Sequence, residues 1–110
     1  MASQSTTQEV GPSAQALNHA ARIAIQQDKA IMLDYYTSSA DGNAYMGEDI
    51  ETKEKMLIKS KEEFTSLIQK IYKVQEDFII LTENSIYIIS GKVQKRRIDA
   101  KALRENVDAE

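Results

Sequence analysis

Phe78-Ile79-Ile80-Leu81-Thr82, then Glu83-Asn84-Ser85, then Ile86-Tyr87-Ile88-Ile89-Ser90 is the stretch on which the reading of the fold turns. Two runs of β-branched and aromatic residues separated by a few turn formers read as a β-hairpin. Neither run alternates apolar with polar. Both are apolar at nearly every position, so both faces must be covered and the hairpin belongs at the centre of a sheet or barrel. Gly91 ends the second run, and Val93-Gln94-Lys95-Arg96-Arg97-Ile98 reads as a last strand with a charged outer face. From Ala100 the chain suits a short helix and a loose acidic terminus.

Upstream of the hairpin, residues 60–74 carry two competing periods. Ser60 and Glu63 form a capping box, and Phe64, Leu67, Ile68, Ile71 and Tyr72 fall on one helical face. The same stretch is rich in β-branched and aromatic residues, which suits a turn at 60–64 followed by a strand from about 67. The helical period fits slightly better, so a second helix near 61–73 is the first reading. Lys55–Lys59 reads as a short strand and the acidic residues 48–54 as a loop. Ala30–Tyr36 reads as a strand that Asp41-Gly42-Asn43 returns into Ala44-Tyr45-Met46, making a second hairpin, because Asp-Gly supplies the positive φ of a tight turn. Nearer the start, Ser13 caps a helix over about 14–27, with Leu17, Ala20, Ala21, Ala24 and Ile25 at helical spacing.

These elements define an α+β fold: a small antiparallel β-sheet or barrel of about five to seven strands with an N-terminal helix. The 110 residues match one domain, read here as 13–104 between flexible tails at 1–12 and 105–110. Hydrophobic residues make up 42% and charged residues 28%, the profile of a chain with a folded core. The absence of Cys excludes thiolate chemistry, Cys-based zinc sites and disulfides, which is what a reducing compartment permits. The first residues lack the basic start and apolar run of a secretory signal, and no apolar run approaches the roughly 20 residues that span a bilayer.

Little in the sequence carries chemistry. His19 is the only imidazole, it falls on the expected helix, and no Gly-x-Ser-x-Gly accompanies it, so it reads as a helix-face residue. Glu48, Asp49, Glu51 and Glu54, with Asp41, offer oxygen ligands but not the order of an EF-hand, and read as a solvated loop. No glycine-rich phosphate loop exists. The expectation is therefore no enzyme, no cofactor, no metal and no small-molecule substrate. The five tyrosines lie in regular elements, where aromatic residues pack.

Charge is more informative. The net value is only -3, yet Asp28–Glu54 holds seven acids and two bases, while Lys92–Arg104 holds six bases and one acid. Lys92, Lys95, Arg96, Arg97, Lys101 and Arg104 form the candidate interaction patch. Opposite patches on one small domain allow contacts between copies or with other proteins, or pair within the fold. The basic stretch would also suit phosphates of nucleic acid or anionic lipid, although it lacks the interleaved aromatics of single-strand binders. An edge strand kept soluble by its charge is the plainer reading.

Asp28-Lys29-Ala30-Ile31-Met32-Leu33-Asp34-Tyr35-Tyr36, the stretch from Ile71-Tyr72-Lys73-Val74 through Leu81 to Ile89, and Arg96-Arg97-Ile98 together resemble small uncharacterised proteins of nucleocytoplasmic large DNA viruses, over about residues 28–98. The resemblance implies a virion-associated structural or interaction protein, found in the host cytoplasm or the virion, that assembles with itself or with other virion proteins. It brings no catalytic residue. A weaker similarity joins Ile80-Leu81-Thr82 through Ile86-Tyr87-Ile88 and Lys95-Arg96-Arg97-Ile98 to pleckstrin-homology-like domains, which implies a phosphate-recognising module. The acidic Asp34 and Asp41, where such domains present a basic loop, count against it.

Overall fold

The computed structural model describes residues 11–103, so nearly all of both expected tails, and Arg104, lie outside the described residues. Helix α1 (Ala14–Gln27) is followed by β1 (Ala30–Met32), a short helix α2 (Tyr36–Asp41), β2 (Tyr45–Asp49), β3 (Lys55–Ile58), β4 (Ile68–Val74), β5 (Asp77–Thr82), β6 (Ser85–Ser90) and β7 (Gln94–Ile98). The strands form two sheets, β1-β6-β5-β4 and β3-β2-β7. The fold is α+β, as the sequence implies. Each sheet also holds one parallel pair, β1 with β6 and β2 with β7, beside its antiparallel ones.

The β5–β6 hairpin lies inside the larger sheet, and its side chains divide strictly between two cores. Ile79, Leu81, Ile86 and Ile88 pack with Ala16, Ala20 and Ile23 of α1 and Tyr36 of α2. Ile80 and Ile89, with Phe78 and Tyr87 beside them, pack with Met46 and Leu57 of the smaller sheet and with Tyr35, Ala44 and Val93. The result is three layers: helices, larger sheet, smaller sheet. The apolar runs are continuous because each face of the hairpin has its own cover. Tyr35 and Tyr36 are adjacent in sequence but enter different cores.

Helix α1 starts where its cap requires, with the Ser13 hydroxyl accepting from the Ala16 N–H at 3.1 Å. Its buried face differs from the sequence reading. Ala16, Ala20 and Ile23 face the sheet, and the small alanines let the helix approach closely, while Leu17 and Ile25 lie on the solvent side, Ile25 with 83% exposure. Asp77 at the start of β5 ties this layer down. One carboxylate oxygen accepts from the Ser13 N–H at 2.8 Å, and the other from the buried Tyr36 hydroxyl at 2.6 Å.

Two expected elements are replaced. No hairpin joins 30–36 to 44–46. Tyr36–Asp41 is helical, and Gly42, at φ 86°, caps it in the left-handed conformation, so the N–H groups of Asn43 and Ala44 return to the Ser38 carbonyl. A positive φ serves a helix end as well as a tight turn, and β1 takes the long-range partner β6 instead. The second helix near 61–73 is likewise absent. Ser60 does cap its turn, accepting from the N–H groups of Glu62 and Glu63, but the chain then runs through Thr65, bonded to Leu57, into strand β4. Only two residues, Gln75 and Glu76, join β4 to β5, and they hold Val74 opposite Asp77 in register.

If the hairpin is covered on both faces, truncating either face must be costly. Ile79→Ala opens the helix-side core and Ile80→Ala the sheet-side core. Each is expected to lower stability by about 2–5 kcal/mol in urea unfolding. A near-neutral result for one of them would show that its face lacks a cover.

Candidate functional site

The smaller sheet presents the basic residues. Strand β7 pairs only with β2, in parallel, with Tyr45 opposite Gln94, Gly47 opposite Arg96 and Asp49 opposite Ile98, which leaves its other edge open among the described residues. Gly47 makes this seat possible. A Cβ there would stand 2.8 Å from the side chains of both Ile58 and Ile98, which approach each other across the bare backbone of β2.

Alternation along β7 splits the candidate patch. Lys95 and Arg97 lie on the face turned toward the larger sheet, and Arg96 lies with Gln94 on the other. The Lys95 ammonium stands 5.5 Å from the centre of the Phe78 ring, and Lys73 of β4 stands 5.3 Å from the same ring. The Arg96 guanidinium lies 4.6 Å from the ring centre of Tyr45 and donates to Gln94 Oε1 at 2.9 Å on the exposed face of β7. Lys92 lies in the β6–β7 turn and Lys101 in the short helix 100–103; both are exposed. Lys73 is the residue that sequence reasoning missed. Once 68–74 is a strand joined to β5 by a two-residue turn, Lys73 must stand opposite Phe78, so resolving the ambiguous stretch would have found it.

The acidic segment proves to be a neighbour of the basic one. Glu48 is in register with Arg97, and Glu51 and Glu54 follow in the β2–β3 turn. Even so, Lys59–Glu63, at 3.4 Å, is the only ion pair among the described residues, so none of the five described patch bases is paired within them. Asp28 follows α1 and Asp34 follows β1, outside the smaller sheet, while Asp41 ends α2 next to Gly42, which lies near the Gln94 side chain at the start of β7.

Asp49 fixes the far end of β7. One of its carboxylate oxygens accepts from the N–H groups of Glu51 at 3.1 Å and Thr52 at 2.8 Å, and the other accepts from Ala100 N–H at 2.8 Å, where the chain leaves β7 for the short helix. The bonds from Thr52 and then Ala100 hold this carboxyl down at about 2. Its oxygens are thus committed to the backbone. Among the described residues no three His, Asp or Glu side chains gather as a metal ion would need.

A cleft of about 560 Å³ opens at the end of the larger sheet, lined by Tyr36, Lys73, Glu76, Asp77, Ser90 and Lys92 among others. Burial, and after it the bond to Asp77, pushes the Tyr36 phenol above its ordinary range. His19 is not in this cleft. It lies half-buried on α1 against Tyr72, ring centres 5.4 Å apart. Among the described residues no helix is long and apolar enough to cross a membrane. Comparison with protein-family models, with curated proteins and with solved structures finds no match.

The Asp49 bonds predict an acid dependence. Its folded value lies below the value of about 3.9 for an unfolded aspartate, so its contribution is complete above about pH 4 and is lost as pH falls toward 2. Asp49→Asn is expected to lower the urea midpoint at pH 7 and to flatten its fall between pH 4 and 2. An unchanged acid profile in the variant would show that these bonds do not couple to folding.

Proposed function

We propose that this protein is a non-enzymatic interaction module that assembles through the basic edge formed by β7, with copies of itself or with other proteins that present acidic surfaces. One observation carries the reading. β7 is an open edge strand of five residues whose charged side chains, although they neighbour acids in β2, form no ion pair among the described residues. Unpaired bases on an edge discourage pairing with another neutral or basic strand and favour a partner of opposite charge. The resemblance of residues 28–98 to proteins of nucleocytoplasmic large DNA viruses supports a virion-associated setting, with other virion proteins as partners.

A second reading, phosphate recognition on nucleic acid or anionic lipid, draws on the convergence of Lys73 and Lys95 on Phe78 and of Lys73 and Lys92 on one cleft. It requires binding that weakens steeply with salt. Glu76 and Asp77 line the same cleft and oppose an anion there, so the assembly reading is preferred.

Light scattering on the purified chain at low and moderate salt, with and without duplex DNA, separates the two. Assembly predicts a defined oligomer, or a complex with virion proteins, that is indifferent to DNA and dissociates when Arg96 and Arg97 are changed to Glu. A monomer that shifts only onto DNA, and only at low salt, would replace the first reading with the second.

A further inference from the structure

The open edge of β7 has a specific composition, because backbone groups alternate in direction along a strand just as side chains do. The Ile98 carbonyl accepts from Ile50 N–H at 2.9 Å, so Ile98 turns its backbone groups toward β2. By alternation Arg96 and Gln94 do the same, and the N–H and C=O groups of Lys95 and Arg97 face outward. Two donors and two acceptors therefore face away from β2, without a partner strand among the described residues, on the residues whose side chains are basic.

The other edges are less suited to receive a strand. β1 has three residues, β3 is bridged at Ile58 by Phe64, and β4 carries an irregularity between Ile68 and Lys70. β7 has five regular residues, and its bases form no ion pair among the described residues even beside the acids of β2. On its paired side lies β2, which places Glu48 in register with Arg97 and carries Asp49 opposite Ile98. A strand on the free side meets the same side chains from the other direction. Arg96, beside Tyr45 and Gln94, and Lys95, beside Phe78, lie on the two faces of β7.

We propose that β7 receives an extended acidic segment of a partner protein as a fourth strand of the smaller sheet, bonded through the outward backbone groups of Lys95 and Arg97 and matched in charge by Lys95, Arg96 and Arg97. This rests on the interaction-module reading and names the partner's chemistry: a stretch of about five or more residues in which Glu or Asp alternates with β-branched residues.

The test uses a fluorescent peptide of alternating Glu and Val, a copy N-methylated at alternate amides in both registers, a Gly-rich peptide of equal charge, and duplex DNA, each titrated into the full chain. Strand addition predicts binding of the alternating peptide at least about tenfold tighter than of its N-methylated copies or the Gly-rich peptide, since each lost backbone bond costs up to about that factor. Arg97→Gln and Arg97→Pro both remove the charge, but only the second removes the outward N–H, which β2 does not use. Arg97→Pro is expected to bind at least about tenfold more weakly than Arg97→Gln, and if it fails to fold, the N-methylated peptides decide alone. Equal binding of all acidic peptides would overturn strand addition in favour of simple charge attraction. Binding of DNA without any peptide would overturn it in favour of a nucleic-acid surface. If no peptide binds but the chain forms an oligomer that Arg96→Glu with Arg97→Glu dissociates, strand addition falls and the assembly reading stands; if neither occurs, both fall.

Discussion

Burial of the β5–β6 hairpin on both faces is the constraint on which the remaining structure depends. A strand pair apolar on every side chain has no stable place at a surface, so it demands one layer above and one below. The chain supplies helices before the hairpin and a second, smaller sheet from segments on either side of it in sequence. Each layer is kept thin. Alanines 16 and 20 bring α1 close to the larger sheet, and Gly47 lets isoleucines from the strands on both sides of β2 meet across it. Two buried carboxylates join the pieces: Asp77 links the start of β5 to both helices, and Asp49 links the β2–β3 turn to the end of β7. Each accepts from named donors, as a carboxylate taken out of water must.

What the sequence disclosed follows the range of the interaction involved. The hairpin, α1 with its Ser13 cap, and the short strand at 55–58 rest on contacts within a few residues, and all three are present. The parallel pairs β1–β6 and β2–β7 join segments about 50 residues apart, and no local pattern announces them. At Asp41-Gly42 the local signal was real but ambiguous, since the left-handed conformation that closes a tight turn also ends a helix. At 60–74 the helical and strand periods coincide on Ile68 and Tyr72. The short connection into β5 decided between them, because a strand there pairs with the hairpin at once. Leu17 and Ile25 misled for the opposite reason: apolar residues at helical spacing do not reveal which side the sheet will take.

The candidate site was legible as a list of bases and illegible as a surface. Lys92, Lys95, Arg96, Arg97 and Lys101 are exposed, as a charged outer face requires, but pleating sends Arg96 away from Lys95 and Arg97. Lys73, 19 positions before the first patch base Lys92, joins the group through the Phe78 ring it shares with Lys95 and the cleft it shares with Lys92. The acids of 48–54, which the sequence leaves either as a patch opposite the bases or as their partners within the fold, flank them because β2 and β7 are paired.

That pairing also bears on when the edge exists during folding. β7 cannot take its place by a local turn, since the segment it pairs with precedes β3 and the whole β4–β5–β6 meander, and closing so long a loop costs entropy that a single strand pair does not offset. Val93 sits in the core between the sheets, and the Ile98 side chain, like that of Ile58, lies over the bare backbone of Gly47, so β7 closes onto surfaces that earlier segments of the chain supply. Until β2 is in place to pair with it, the segment 94–98 has no partner strand and so presents no ordered edge. An ordered β7 edge therefore belongs only to molecules that have finished their core, so any pairing along it waits on complete folding.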